Sequence, residues 1–310
     1  MHPALSIIVF TTLSGMGYGL AALLGLGLFD PTALATKIGY LLALALIAGG
    51  LISSTLHLGN PQRAWRALSQ WKTSWLSREG VLAILTFIPL TICAYAAIFH
   101  DRHLVIPGLL AAVLSLVTVY CTAMIYGSLK TVQLWSQPLT PVIYLLFSLA
   151  SGSTVGTLLA VTGASSPWLL AVLAIMSTIA AWFVKRRWRT DGKAVAPLST
   201  PETATGLGSI GRVRLFERPH INENYLTREM GFKVARKHAD KLFGIAILLG
   251  GLVPSALLVI AVFAVSTMGP GLTAFLAALL AVLSHYAGVF VERWLFFAEA
   301  RHAVMNYYGR

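Results

Sequence analysis

Charged side chains are scarce in this 310-residue sequence: Asp, Glu, Lys and Arg make up 11% of it, against about 25% in a soluble domain. With 57% hydrophobic residues and a mean hydropathy of +0.76, this excludes a soluble globular protein. Acidic residues are scarcest, 11 against 23 Lys and Arg, which gives a formal charge of +12. Such an excess suits nucleic acid only where the basic residues share one folded surface. Here they stand between long apolar runs, so membrane topology accounts for them and no nucleic-acid partner is expected. The two cysteines, Cys93 and Cys121, lie in separate apolar runs, which leaves neither a disulfide framework nor a cysteine metal site. Of the eight histidines only His285 falls near the middle of a run. A bis-histidine haem needs two that face each other from different spans, so no haem and no metal are expected in this chain. The sequence also lacks an internal repeat, which weakens a transporter reading.

What the sequence does have is apolar length. Eight stretches reach the roughly 20 residues that cross the hydrocarbon: about 4–28, 38–57, 80–99, 104–126, 139–162, 167–184, 242–266 and 271–297. Pro89, Pro141, Pro254 and the Gly49-Gly50 pair interrupt some of them, which is tolerated where neighbouring helices satisfy the freed backbone groups. The expectation is an all-α integral membrane protein, a bundle of eight transmembrane helices. An even count puts both termini on one side. The first run has no basic n-region before it and is longer than a signal-peptide core, so it reads as a retained span.

Translocated loops are poor in Lys and Arg. The loops 58–79, 127–138 and 185–241 and the C-terminal region hold 4, 1, 13 and 3 of them, whereas the opposite side has only Lys37 and Arg102. Both termini and the even-numbered loops are therefore predicted to be cytoplasmic, in a multi-pass protein of the inner (cytoplasmic) membrane. The chain divides into 1–184, helices 1–6 with the loop 58–79; 185–241, a basic cytoplasmic loop; and 242–310, helices 7–8 and the tail. Within the loop, Lys185 to Arg189 reads as a stop-transfer anchor. Tyr225 to Lys241 carries Leu226, Met230 and Val234 near helical spacing among basic residues, the pattern of an interfacial helix or of a platform for a partner.

Ionisable groups in or beside a span are costly and tend to mark function. His57 ends the second span, with Ser53 and Gly50 on the same helix face. Glu79 opens the third, Tyr126 ends the fourth, and Glu292 with Arg293 lies late in the eighth. These five groups fall at one depth on one side. His285, Gly288 and Glu292 share a stripe of the eighth helix, from which Arg293 is offset by one residue and predicted to face elsewhere. For each residue alone a bland role is available: an interfacial histidine, a snorkelling arginine, or a belt formed by Trp65, Trp71, Trp75 and Trp294. As a set they suit a quinone. Its carbonyls need a donor that can also release a proton, and its protons need a carboxyl. Its ring and tail need apolar walls that open to lipid. Histidine titrates near neutrality, so His57 and Glu79 supply the first two.

The segments Ser54-Thr-Leu-His-Leu-Gly-Asn-Pro-Gln-Arg-Ala-Trp-Arg-Ala-Leu68 and Thr73-Ser-Trp-Leu-Ser-Arg-Glu79 resemble the membrane anchor subunits of the dimethyl sulfoxide reductase (DmsC) family. Tyr126, Thr131-Val132, Thr140-Pro141, Asn224 to Phe232, and Glu292-Arg293 extend the similarity over nearly the whole chain. The resemblance implies an eight-helix anchor without metal that binds a four-cluster iron–sulfur subunit and, through it, a molybdopterin catalytic subunit. Quinone would react in the anchor, at the positions matching His57 and Glu79. An arginine that enterobacterial members carry shortly before the tyrosine of the fourth span is replaced here by Met124-Ile125, so its role does not transfer. Arg63, Trp65, Arg66, Trp75 and Arg78, in the same motif pair, are expected to dock the partner.

The predicted cytoplasmic position of His57 and Glu79 is similar to that in the anchors (SoeC) of quinone-dependent sulfite dehydrogenases, whose catalytic subunits stay in the cytoplasm. The expected function is thus to pass electrons from sulfite oxidation in another chain to the quinone pool, ubiquinone or menaquinone. This chain would hold no catalytic residue for the sulfur substrate. The alternatives are a quinol-oxidising anchor of a reductase, a purely structural anchor, and a transporter.

Overall fold

The computed structural model describes residues 4–56, 58, 60–197, 199–214, 216–217 and 238–308. His57 and the stretch 218–237, which holds most of the expected interfacial helix, lie outside the described residues. Eight helices are long and apolar enough to cross a membrane: α1 Leu5–Gly25, α2 Leu34–Thr55, α3 Trp75–His100, α4 Val105–Gly127, α5 Leu139–Ala164, α6 Pro167–Ala194, α7 Ala239–Met268 and α8 Leu272–Ala298. The sequence anticipates all eight, but three have ends four or more residues from those expected: α2 begins at Leu34 and not near 38, and α3 and α6 differ by more. α3 starts at Trp75, where the Ser74 side chain accepts from Ser77 N–H and caps the helix. α6 continues to Ala194, beyond the expected end at 184, and carries Lys185 and Arg189 with it.

α1 and α5 are the most buried helices and form the middle of the bundle. Between apolar helices in lipid, close approach depends on small residues, and α1 and α5 cross with backbone against backbone at Gly19 and Gly152. A Cβ on Gly19 would collide with the Ser148 carbonyl, and one on Gly152 with Gly19 itself. A second such crossing joins α7 to α8, where Gly250 meets Gly288. There the α7 backbone widens into a π-helical turn over Leu248–Leu252, directly before Pro254, as a helix does to accommodate a residue without an N–H. The outer faces remain apolar, with Ile38, Ile52, Ile84, Ile106 and Phe183 exposed, as lipid contact requires.

Contacts define the two ends. At one end Lys37 pairs with Asp101 at 2.6 Å, and Asp30 N–H donates to Ala164 O at 2.7 Å. At the opposite, basic end Ser53 Oγ of α2 donates to Ser6 O of α1 at 2.8 Å. Trp188 Nε1 of α6 donates to Thr140 Oγ1 of α5 at 3.0 Å. Trp135, in the α4–α5 connection, donates to Phe296 O of α8 at 2.8 Å and stacks on the Phe296 ring. Replacing Trp135 by Phe removes that bond from a buried carbonyl, a loss of about 1–3 kcal/mol. The expected result is a melting temperature a few degrees lower in detergent, with the complex otherwise assembled.

Candidate functional site

Glu79 lies one turn into α3 and is 4% exposed. The Thr122 hydroxyl of α4 donates to its Oε1 and also lies 3.1 Å from Thr118 O of its own helix. Deeper along the same two helices, Thr86 and Thr118 meet at 3.3 Å, so the α3–α4 seam is a ladder of hydroxyls ending at a carboxyl. No cation lies within ion-pair distance of Glu79 among the described residues. At the start of α3 and the end of α2, Leu76, Leu56 and Leu58 are exposed.

Tyr126, one turn beyond Thr122, sits in an aromatic cluster with Trp135, Tyr144, Phe296 and Phe297, with ring centroids 5.2–6.0 Å apart. Tyr144 carries the Arg293 guanidinium over its ring at 4.0 Å. Glu79 is within electrostatic range of Tyr126 and Tyr144, so the structure brings Glu79, Tyr126, Glu292 and Arg293 to one end of the bundle, as the sequence predicts.

The prediction that Arg293 faces away from Glu292 is corrected. Arg293 Nε lies 2.8 Å from Glu292 Oε2. Successive side chains on a helix do diverge, but a long arginine folds back along its own helix when the alternative is an unpaired charge in an apolar interior. Glu292 also receives Lys185 Nζ at 2.6 Å on Oε1. Lys185 and Glu292 are fully buried, and the ammonium lies 3.8 Å from the Trp188 ring centroid. The segment read as a stop-transfer flank thus places a lysine inside the bundle. One turn further out, Arg189 donates to both Glu299 oxygens at 2.9 and 3.0 Å and pairs at 2.7 Å with Asp240, whose side chain is 85% exposed. Two ion-pair clusters therefore stand one turn apart along α6, the outer one reaching the surface at Asp240 and the inner one ending at Arg293.

Sequence reasoning missed Lys185, Arg189 and Thr122. A signal existed for the first two: Ala171, Ala174, Thr178, Ala181, Lys185 and Trp188 are buried at successive three- and four-residue steps, a face that runs on past the apolar run. A single threonine in an apolar helix carries no such signal. His285 is buried, with Nδ1 2.8 Å from Gly250 O and Nε2 3.0 Å from Ser151 Oγ. Both ring nitrogens are occupied in tying α8 to α7 and α5.

Of the residues expected to dock a partner, Arg63, Trp65 and Arg66 are exposed on the 3-10 segment Pro61–Gln70. Arg78 instead stacks on Trp75 at 4.3 Å and donates to the Trp71 and Lys72 carbonyls at 3.0 and 2.6 Å, which holds the end of that loop to the start of α3.

An eight-helix membrane bundle with a buried carboxyl and a charged cluster at one end is an integral anchor with polar machinery of its own. The family model for the DMSO reductase anchor subunit (DmsC) matches residues 1–298, and the chain belongs to that family. It is 31% identical to a sulfite dehydrogenase subunit of Allochromatium vinosum, over 99% of both proteins. It is 28% identical to a component of the anaerobic dimethyl sulfoxide reductase of Escherichia coli, over 42% of this protein and 47% of that one. The protein is a multi-pass membrane anchor subunit of an oxidoreductase complex.

Proposed function

We propose that this anchor is the quinone-reactive subunit of a sulfite dehydrogenase and passes electrons from sulfite oxidation in a partner chain to the quinone pool. The observation that carries the proposal is Glu79: a buried carboxyl with a threonine and, among the described residues, no cation as its partner, in the first turns of the helix that follows the loop after His57. A structural anchor has no use for an expensive unpaired carboxyl. A quinone site needs one group that exchanges protons and walls open to lipid, and these residues fit it. When bound, the quinone supplies an acceptor for two electrons and two protons. His57 donates a hydrogen bond to a carbonyl and hands over its proton. Glu79 holds the second proton and exchanges it with water at the basic end. Tyr126 walls the site, and the Arg293–Glu292–Lys185 cluster supplies a net positive charge behind it.

By the distribution of Lys and Arg, the basic end faces the cytoplasm, and there the exposed Arg63, Trp65 and Arg66 receive a four-cluster iron–sulfur subunit that serves a molybdopterin subunit. The full-length similarity to the Allochromatium vinosum sulfite dehydrogenase subunit favours sulfite as the electron source. The partial similarity to the Escherichia coli reductase component favours the second reading, a quinol-oxidising anchor.

Mild-detergent affinity purification from native membranes, with partner identification and assays for molybdenum, iron and sulfite-dependent quinone reduction, separates these. Copurifying metal subunits with sulfite-driven turnover are the expected outcome. Metal subunits without that turnover point to the reductase direction, and a protein that purifies alone removes the electron route proposed here.

A further inference from the structure

A small cavity lies between α1, α4, α5 and α8, lined among others by Thr11, Ser14, Tyr18, Thr122, Ser151 and Arg293. Its water-accessible volume is about 20 Å³, above the roughly 10–15 Å³ that one water requires. Three of the lining residues carry an enclosed polar atom without a hydrogen-bond partner among the described residues: Tyr18 Oη, Tyr144 Oη and Arg293 Nη1. Tyr18 is 1% exposed and Arg293 2%. A buried water is stable where it makes about three hydrogen bonds to such groups. This cavity offers the tyrosine hydroxyl, the guanidinium and the Thr122 hydroxyl, whose other side holds Glu79. The charges on the two sides are complementary. Among the described residues Glu79 has no cation, while Lys185, Glu292 and Arg293 together carry one positive charge in excess, and Glu79 is within electrostatic range of Tyr18.

We propose that this cavity is a hydrated proton-transfer site joining Glu79 to the Arg293–Glu292–Lys185 cluster, with Thr122 as the hydroxyl through which Glu79 is reprotonated. The inference rests on the quinone reading above and adds its proton supply. The step is balanced. Water passes a proton to Thr122 Oγ1 as the hydroxyl releases its own to Glu79, so one proton moves and every oxygen but those of Glu79 and the water ends as it began. The hydroxide this leaves in the cavity is exchanged for a water from the basic end, so solvent water is the source of the proton and no protein group other than Glu79 changes its protonation state. Arginine does not give up its proton under these conditions, so Arg293 holds the water in position and offsets the charge as Glu79 deprotonates. It is a positioning residue.

Two measurements on the detergent-purified complex test this. Hydroxyl radicals generated by X-ray pulses oxidise side chains that touch bound water even when bulk solvent cannot reach them. Tyr18 and Met16, both on the cavity, are expected to be oxidised several times faster than Tyr40, which is as deeply buried but donates to Leu24 O away from the cavity. In the second measurement, Thr122→Val, which keeps the shape and removes the hydroxyl, is expected to lower quinone turnover about 10-fold or more relative to dye-linked turnover of the same preparation. Thr122→Ser restores most of it, which a packing role would not do. If Tyr18 and Met16 are as silent as Tyr40, the cavity is dry and the proposal is wrong. A hydrated cavity with Thr122→Val turning over like the parent also overturns it, while leaving the quinone reading intact. A parent complex without any quinone turnover overturns both, whatever the oxidation pattern.

Discussion

Replacing Glu79 by Gln is expected to lower quinone turnover by about 100-fold or more, within the 10²–10⁴-fold range of general acid–base catalysis. The amide is nearly the same size and still accepts the Thr122 hydroxyl, so the α3–α4 seam keeps its hydrogen bond and the bundle its fold. Only the exchangeable proton is lost. The readout is quinone reduction in membrane vesicles, normalised to the dye-linked turnover of the partner subunits in the same vesicles. The loss belongs to kcat, because Glu79 is proposed to move protons and not to hold the ring. His57→Ala is expected to lose as much but to raise the quinone KM as well, since a donor to a carbonyl contributes to binding. Unchanged quinone turnover in Glu79→Gln would remove the carboxyl from the chemistry and leave a structural anchor.

The architecture was readable because bilayer thickness imposes length and composition on each span, and these are local properties. All eight helices follow from apolar length alone, and the grouping of Glu79, Tyr126, Glu292 and Arg293 at one end follows from their positions along alternating spans. Family membership was equally legible in the His-Leu-Gly and Ser-x-Glu segments. Pairing was not. Hydropathy treats Lys185 as the polar edge of a helix, because its cost in lipid is removed only by Glu292, more than a hundred residues away in the chain. The same kind of compensation hid the bond from Arg293 to Glu292, since residue offset around a helix describes Cβ directions and not where a long flexible side chain ends. Thr122 and Tyr18 were invisible for a different reason. Isolated hydroxyls are common in membrane helices and usually bond back to their own carbonyls, as Thr12 and Ser14 do here at 2.7 Å and as Thr122 itself does to Thr118 O at 3.1 Å.

Substituting Glu292 by Gln is expected to be the most destabilising single change in the charged cluster. It leaves Lys185 and Arg293 as two like charges in an interior where both are at least 97% enclosed, and stranding a buried charge costs about 3–5 kcal/mol. Lys185→Met is expected to be mild by comparison. It removes one cation, retains the stem's packing against Trp188, and leaves Glu292 with Arg293 as a neutral pair at 2.8 Å. The informative variant is the double one. Adding Lys185→Met to Glu292→Gln takes away one of the two stranded cations, so the pair should be more stable than Glu292→Gln alone. Two independent sites would add instead. Detergent melting temperatures of the four proteins measure this coupling directly. If the double variant melts at the sum of the two single losses, Lys185 and Glu292 do not act on each other. The cluster would then be an accident of packing, and its positive charge could not serve as the counterpart of Glu79.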